Sequence, residues 1–163
     1  MQNQNFTAAI FVDQPAEEAF NAINNVREWW TGEPGVEGSA DKLGDEFTYR
    51  YKDLHYSKQK VTELIPGKKV VWLVTDSKLT FIKDKSEWTG TKISFEISDP
   101  DNDRENKTQI RFTHVGLVPG IECYGDCSNA WSSYINSSLR NFIAKGKSTD
   151  QLSKQGVKSS AAE

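Results

Sequence analysis

Apolar and polar positions change period several times along this chain. Phe6-Thr7-Ala8-Ala9-Ile10-Phe11-Val12 is an apolar, partly β-branched run that predicts a strand. Asp13-Gln14-Pro15 ends it, with Asp13 placed to cap a helix and Pro15 suited to its first turn. Ala16, Ala19, Phe20 and Ile23 then recur at helical spacing until Asn24-Asn25 breaks the pattern. Val26–Trp30 predicts a second short helix, ended by Gly32 and Pro34. From Phe47 the period drops to two: Phe47, Tyr49 and Tyr51 alternate with Thr48, Arg50 and Lys52. Strands are predicted at His55–Leu64, stopped by Pro66-Gly67, at Val70–Val74, and as a short piece at Leu79–Ile82. Trp88-Thr89-Gly90-Thr91 reads as a turn. Two cleanly alternating strands follow, Thr91–Ser98 with Ile93, Phe95 and Ile97 together, and Lys107–Val115 with Ile110, Phe112 and His114 together. Asp99–Asn106 joins them as a polar hairpin loop.

After Pro119-Gly120 the period lengthens again. Trp131, Tyr134, Ile135, Ser138, Leu139, Phe142 and Ile143 form one apolar stripe on a helix predicted from Glu122 to Ala144. Such a helix is ~30 Å long, enough to cross strands of ~25 Å. Consecutive strands with short turns make an antiparallel meander, and a helix with an apolar stripe must bury it on the available sheet face. The expected fold class is α+β: about six or seven strands in a curved antiparallel sheet around a long C-terminal helix, with two short helices after the first strand. Residues 1–146 form one expected domain and 147–163, polar and small, an expected disordered tail.

Composition narrows the function. The 36% apolar content suits a folded domain, and there is no run long enough to span a membrane and no signal peptide at Met1–Asn5. A formal charge of −3 argues against a nucleic-acid partner. Two cysteines, Cys123 and Cys127, make no disulfide framework and fit a reducing, cytoplasmic setting. Five Trp, five Tyr and eight Phe against one Met are the informative excess: they fill a core or line a cavity.

The order of elements resembles the START-like, or SRPBCC, helix-grip fold, also known as the Bet v-like fold. Ile110-Arg111-Phe112-Thr113-His114-Val115-Gly116-Leu117, followed by Trp131-Ser132-Ser133-Tyr134-Ile135, resembles one branch in particular, the heat-shock protein 90 ATPase activator-like C-terminal domains. Trp29-Trp30-Thr31 and Val61-Thr62-Glu63-Leu64-Ile65-Pro66 fit the same branch, so the resemblance covers about residues 6–145. It implies a deep cavity between sheet and long helix. Members of the superfamily use that cavity for lipids, hormones, polyketides or aromatic compounds, and a few act as cyclases or hydrolases. The eukaryotic activator engages its chaperone through a separate N-terminal domain. This chain starts at the first strand, so a chaperone partner is not the expectation. A homodimer is compatible with the sequence.

Candidate residues follow from the faces. Tyr49, Tyr51 and Trp72 share inward positions on neighbouring strands and suit an apolar or aromatic ligand, or ordinary core packing. Trp30, Trp88 and Trp131 invite the same two readings, and Phe95, Phe112 and Tyr134 complete the candidate lining. If Val61 faces inward, Ser57, Gln59 and Glu63 share its face, which fits a wet cavity or an edge-like strand. His114, inward beside Ile110 and Phe112, is a general acid–base candidate or a buried, hydrogen-bonded histidine. Asp99, Asp101, Asp103 and Glu105 alternate but lack the glycine and bidentate glutamate of a calcium loop. Two histidines and two cysteines do not spell a zinc site, and no nucleotide-binding motif occurs, so neither metal nor cofactor is expected. The expectation is a small-molecule-binding domain without a defined catalytic activity. The alternatives are an enzyme using His114 and an interaction module.

Overall fold

The computed structural model describes residues 5–98 and 108–145. The calcium-loop candidate at 99–106 and the tail at 147–163 lie outside the described residues. Seven antiparallel strands form one sheet in the order β1-β7-β6-β5-β4-β3-β2. They are β1 (Phe6–Val12), β2 (Pro34–Gly38), β3 (Glu46–Tyr51), β4 (His55–Ile65), β5 (Lys69–Leu79), β6 (Lys92–Ser98) and β7 (Thr108–Val115). Helix α1 (Ala16–Asn24) and a single 3₁₀ turn at Val26–Glu28 join β1 to β2. The C-terminal helix consists of α2 (Tyr124–Ser133), a π-helical stretch (Tyr134–Leu139) and α3 (Arg140–Lys145). The α+β helix-grip architecture expected from the pattern is the one observed.

β2 was not expected. Pro34, Gly35 and Gly38 look like breakers, and Val36 alone carries apolar signal. The segment is nonetheless an edge strand, where a proline costs no ladder bond, paired through Val36 to Tyr49 and Gly38 to Phe47. The expected strand at Leu79–Ile82 does not form; Leu79 is the last residue of β5. The register explains how β5 runs that far. Lys58 pairs with Asp76 and Gln59 with Val74, leaving Thr75 as an extra residue, a bulge that keeps Ser77 and Leu79 on the inner face. A second bulge corrects another expectation. Val61 pairs with Trp72 but Glu63 with Val71, so Thr62 is the extra residue and Glu63 turns to the outer face, where its carboxylate meets Lys69 Nζ at 3.7 Å.

The core is aromatic. Trp29, Trp30, Trp72, Trp131, Phe47, Phe95 and Phe112 are almost wholly buried. At ~25 cal/mol per Å² over the roughly 150–250 Å² an aromatic side chain buries, each contributes about 4–6 kcal/mol before its entropy cost. Trp29 stacks at 6.4 Å on Trp72 and donates its indole N–H to the Ile23 carbonyl at 3.1 Å. The helix seals this layer with Cys127, Trp131, Ile135, Leu139 and Ile143, all buried and all four residues apart. Four residues overshoot one α-helical turn by about 40°, so an unbroken α-helix would rotate this stripe off the sheet by well over 100° across its length. The wider π turn over Tyr134–Leu139 brings Ile135, Leu139 and Ile143 back into line, and Ser138 Oγ donates to the Trp29 carbonyl at 2.7 Å from the same stretch.

Candidate functional site

One end of the sheet–helix interface is left open as a cleft of about 510 Å³. Its sheet side is Tyr49 and Tyr51 of β3, Leu54 of the following turn and His55 of β4. Its helix side is Asp126, Cys127, Ala130, Trp131 and Tyr134. Trp30 lies at one boundary, and Phe81 and Trp88 come from the segment after β5. Tyr51, Leu54 and Phe81, at 37%, 45% and 39% exposed, make an apolar rim.

Local chemistry holds these walls in place. Gly32 lets the chain pass over β3: a Cβ there would sit 2.4 Å from the Arg50 carbonyl and 2.9 Å from the Tyr49 ring. That close approach puts Trp30 flat against Tyr49, with centroids 4.2 Å apart and planes 7° from parallel. The Thr31 carbonyl accepts hydrogen bonds from both Tyr49 and Tyr134, whose hydroxyl oxygens lie 2.9 Å apart. Burial, with the Tyr134 hydroxyl adding to it, pushes the Tyr49 pKa far above its ordinary value. The helix start has no side-chain cap of its own. Glu87 supplies one from the loop, accepting the backbone N–H groups of Glu122 (2.8 Å) and Cys123 (3.1 Å), while Glu122 accepts the Lys83 N–H at 2.9 Å. Thr80 ties the same loop to the β3–β4 turn through the carbonyls of Asp53 and Leu54.

Of the ten residues singled out from the sequence, Trp30, Tyr49, Tyr51, Trp131 and Tyr134 line the cleft. Tyr51 stands at the rim rather than inside. Gln59, Trp72, Phe95, Phe112 and His114 do not line it; all five are 0% exposed and lie under the helix or within the aromatic layer. The polar inner face of β4 therefore divides: His55 opens on the cleft, whereas Gln59 is sealed in the core, donating weakly to the Phe47 carbonyl at 3.4 Å. Sequence reasoning considered His55 only as a metal ligand. Its place on the same alternating face as Ser57 and Gln59 was the available signal.

His114 is a rivet. Trp131 donates its indole N–H to Nδ1 at 3.0 Å, so Nδ1 is the acceptor and the proton sits on Nε2. Nε2–H then donates to Thr91 Oγ1 at 2.8 Å, and Thr91 donates onward to the Trp88 carbonyl at 2.6 Å. Burial, reinforced by His55, lowers the His114 pKa to about 3. Both nitrogens are committed within the fold, and the ring, 0% exposed, is not among the residues lining the cleft. His55 is different. Its Nε2 meets Ser57 Oγ at 3.1 Å, its ring stands edge-on to Tyr49 and Trp88, and burial lowers its pKa to about 4.

Cys123 and Cys127 are free and buried, one helical turn apart. The Cys123 thiol and burial push the Cys127 pKa well above its usual value, so it is an unreactive thiol in the cleft wall. Among the described residues no three His, Cys, Asp or Glu side chains gather as a metal site, and no helix is long and apolar enough to cross a membrane.

No protein-family model matches the chain, and no curated protein matches it. Solved structures do. An Aha1 dimer from Colwellia psychrerythraea is 27% identical over 88% of this chain and 98% of its own, with a TM-score of 0.66. A protein from Nitrosospira multiformis (9% identical, 86% of this chain and 96% of its own, TM-score 0.63) has the same fold. So does DynU16, from the dynemicin biosynthetic locus (12% identical, 91% of this chain and 49% of its own, TM-score 0.60). Fold and sequence together place the chain's resemblance with the Aha1-like branch of the START-like helix-grip proteins.

Proposed function

We propose that this protein binds an apolar or aromatic small molecule in the cleft between β3–β4 and the N-terminal half of the long helix. The observation that carries this reading is the cleft itself: about 510 Å³, within the ~300–1,000 Å³ of small-molecule sites, lined by aromatic side chains and rimmed by three exposed apolar ones. Its polar atoms are few and fixed, which suits orientation of a ligand better than catalysis. The test uses Ala130→Trp, which fills the cleft from an exposed helix position. Native mass spectrometry of freshly purified protein should show a mass excess that is lost on denaturation, and the variant should lack it while melting within about 2 °C of the parent. An unaltered mass excess in Ala130→Trp would place the ligand elsewhere.

The similarity to an Aha1 dimer favours a homodimer as the assembly. Light scattering across a dilution series would show a mass near 36.8 kDa, twice 18.4 kDa, or would refute it.

A further inference from the structure

The cleft has a charge preference that its aromatic lining alone does not convey. Asp126 is the one Asp, Glu, Lys or Arg among the residues lining the cleft, and burial keeps His55 and Tyr49 neutral there. Among the described residues the Asp126 carboxylate makes no ion pair and no side-chain hydrogen bond, although it stands in the first turn of α2. The hydroxyl protons of Tyr49 and Tyr134 are both directed at the Thr31 carbonyl, with the two oxygens 2.9 Å apart, and the Trp131 N–H is spent on His114. With their protons committed, the two hydroxyls meet a ligand as acceptors rather than donors. Aromatic faces carry negative quadrupole and attract cations, strongly so where water is excluded. Lys52 shows this at the rim, its Nζ 5.5 Å from the Tyr51 ring centroid, on an exposed side chain that does not line the cleft. One donor remains inside: the buried Trp88 indole N–H faces only the weakly accepting Cys127 thiol, and its ring forms part of the wall.

We infer that the ligand is an organic cation, an aromatic or apolar body bearing an ammonium group, with the ammonium set against Asp126 and the tyrosine oxygens. An acceptor atom on the same body would meet the Trp88 N–H. A carboxylate or phosphate ligand of the same shape is disfavoured, because it would face Asp126 with no Lys or Arg in the cleft lining to neutralise it. This inference rests on the cleft being the binding site.

Three probes of one shape and three charges test it: 1-naphthylmethylammonium, 1-naphthalenemethanol and 1-naphthoate, titrated into the full chain by calorimetry at pH 7.5 and low salt. The ammonium should bind about tenfold more tightly than the alcohol, and the naphthoate weakest. Asp126→Asn, at an exposed position, should erase most of the ammonium's advantage, strengthen the naphthoate and leave the alcohol unchanged. If all three probes bind the parent equally, or if naphthoate binds best, the charge preference is wrong while the cleft reading stands. If Asp126→Asn leaves the ammonium's advantage intact, the carboxylate is not its source and the inference fails. If none of the three binds the parent, and Ala130→Trp leaves a native mass excess intact, the cleft reading itself fails.

Discussion

Two histidines face the inside of this sheet, and they stand in contrasting surroundings. His114 sits under the helix with both nitrogens engaged, in a chain of hydrogen bonds from Trp131 through Thr91 to a backbone carbonyl. His55 sits at the end of β4 with one partner, Ser57, and a cleft in front of it. Both are neutral, and both are inner-face residues beside tryptophan. What separates a structural histidine from a candidate ligand contact is polar completeness. A ring whose donors and acceptors are all satisfied by the fold has nothing left to offer, whereas one with an open side does.

The largest effect should come from breaking the complete network. His114→Leu removes the acceptor of a buried indole N–H, and an unsatisfied buried donor together with a misfitting side chain should cost about 2–4 kcal/mol. Urea unfolding measures this, and a loss below about 1 kcal/mol would mean that the network is not what holds β7 to the helix. Gly116→Ala attacks the same network from behind. Its φ of +107° excludes ordinary side chains, and a Cβ would lie 2.6 Å from Thr91 Cγ2. The variant should lose about 1–3 kcal/mol, and its effect should not add fully to that of His114→Leu, because both displace Thr91.

The pH response comes next. Burial holds the His114 pKa at about 3 against an ordinary 6.5, so the unfolded chain takes up a proton between those values and the folded chain does not. Stability from this group is complete above pH 6.5 and declines as pH falls toward 3, at up to about 1.4 kcal/mol per unit. Unfolding free energies measured from pH 7 to 5 should fall, and His114→Leu should flatten that slope. An unchanged slope would mean that the imidazole is protonated in the fold. The smallest stability effect belongs to His55→Ala. Its ring is half-buried and its partner Ser57 can turn to water or to the backbone, so the cost should not exceed about 1.5 kcal/mol. Ligand binding should nonetheless weaken. A loss as large as that of His114→Leu would erase the contrast between the two rings.

Much of this was legible beforehand, and the errors have identifiable causes. Alternation in β3, β6 and β7 correctly placed Tyr49, Phe95, Phe112 and His114 inside, because period two is a property of the local backbone. The same rule failed at Glu63, where a bulge inserts one residue and reverses the faces beyond it. β2 was missed because an edge strand with Pro34 and two glycines owes its existence to β3 rather than to its own pattern. His55 was underrated because facing inward and facing a cleft look alike along one strand. Only the turn at Leu54, the loop at Phe81 and the helix start at Asp126 distinguish them.

By itself, then, the sequence determined the central strands and the helices, most of the side chains that face the core, and the abundance of aromatic residues that fill it, since all of these depend on neighbours a few residues away. The tertiary structure decided where the two bulges fall, that Glu87 caps a helix some 35 residues on, that Gly32 brings Trp30 onto Tyr49, and that one histidine is locked while the other is open. These depend on strand register and on contacts between distant segments, and periodicity carries no information about which distant partner a side chain will meet.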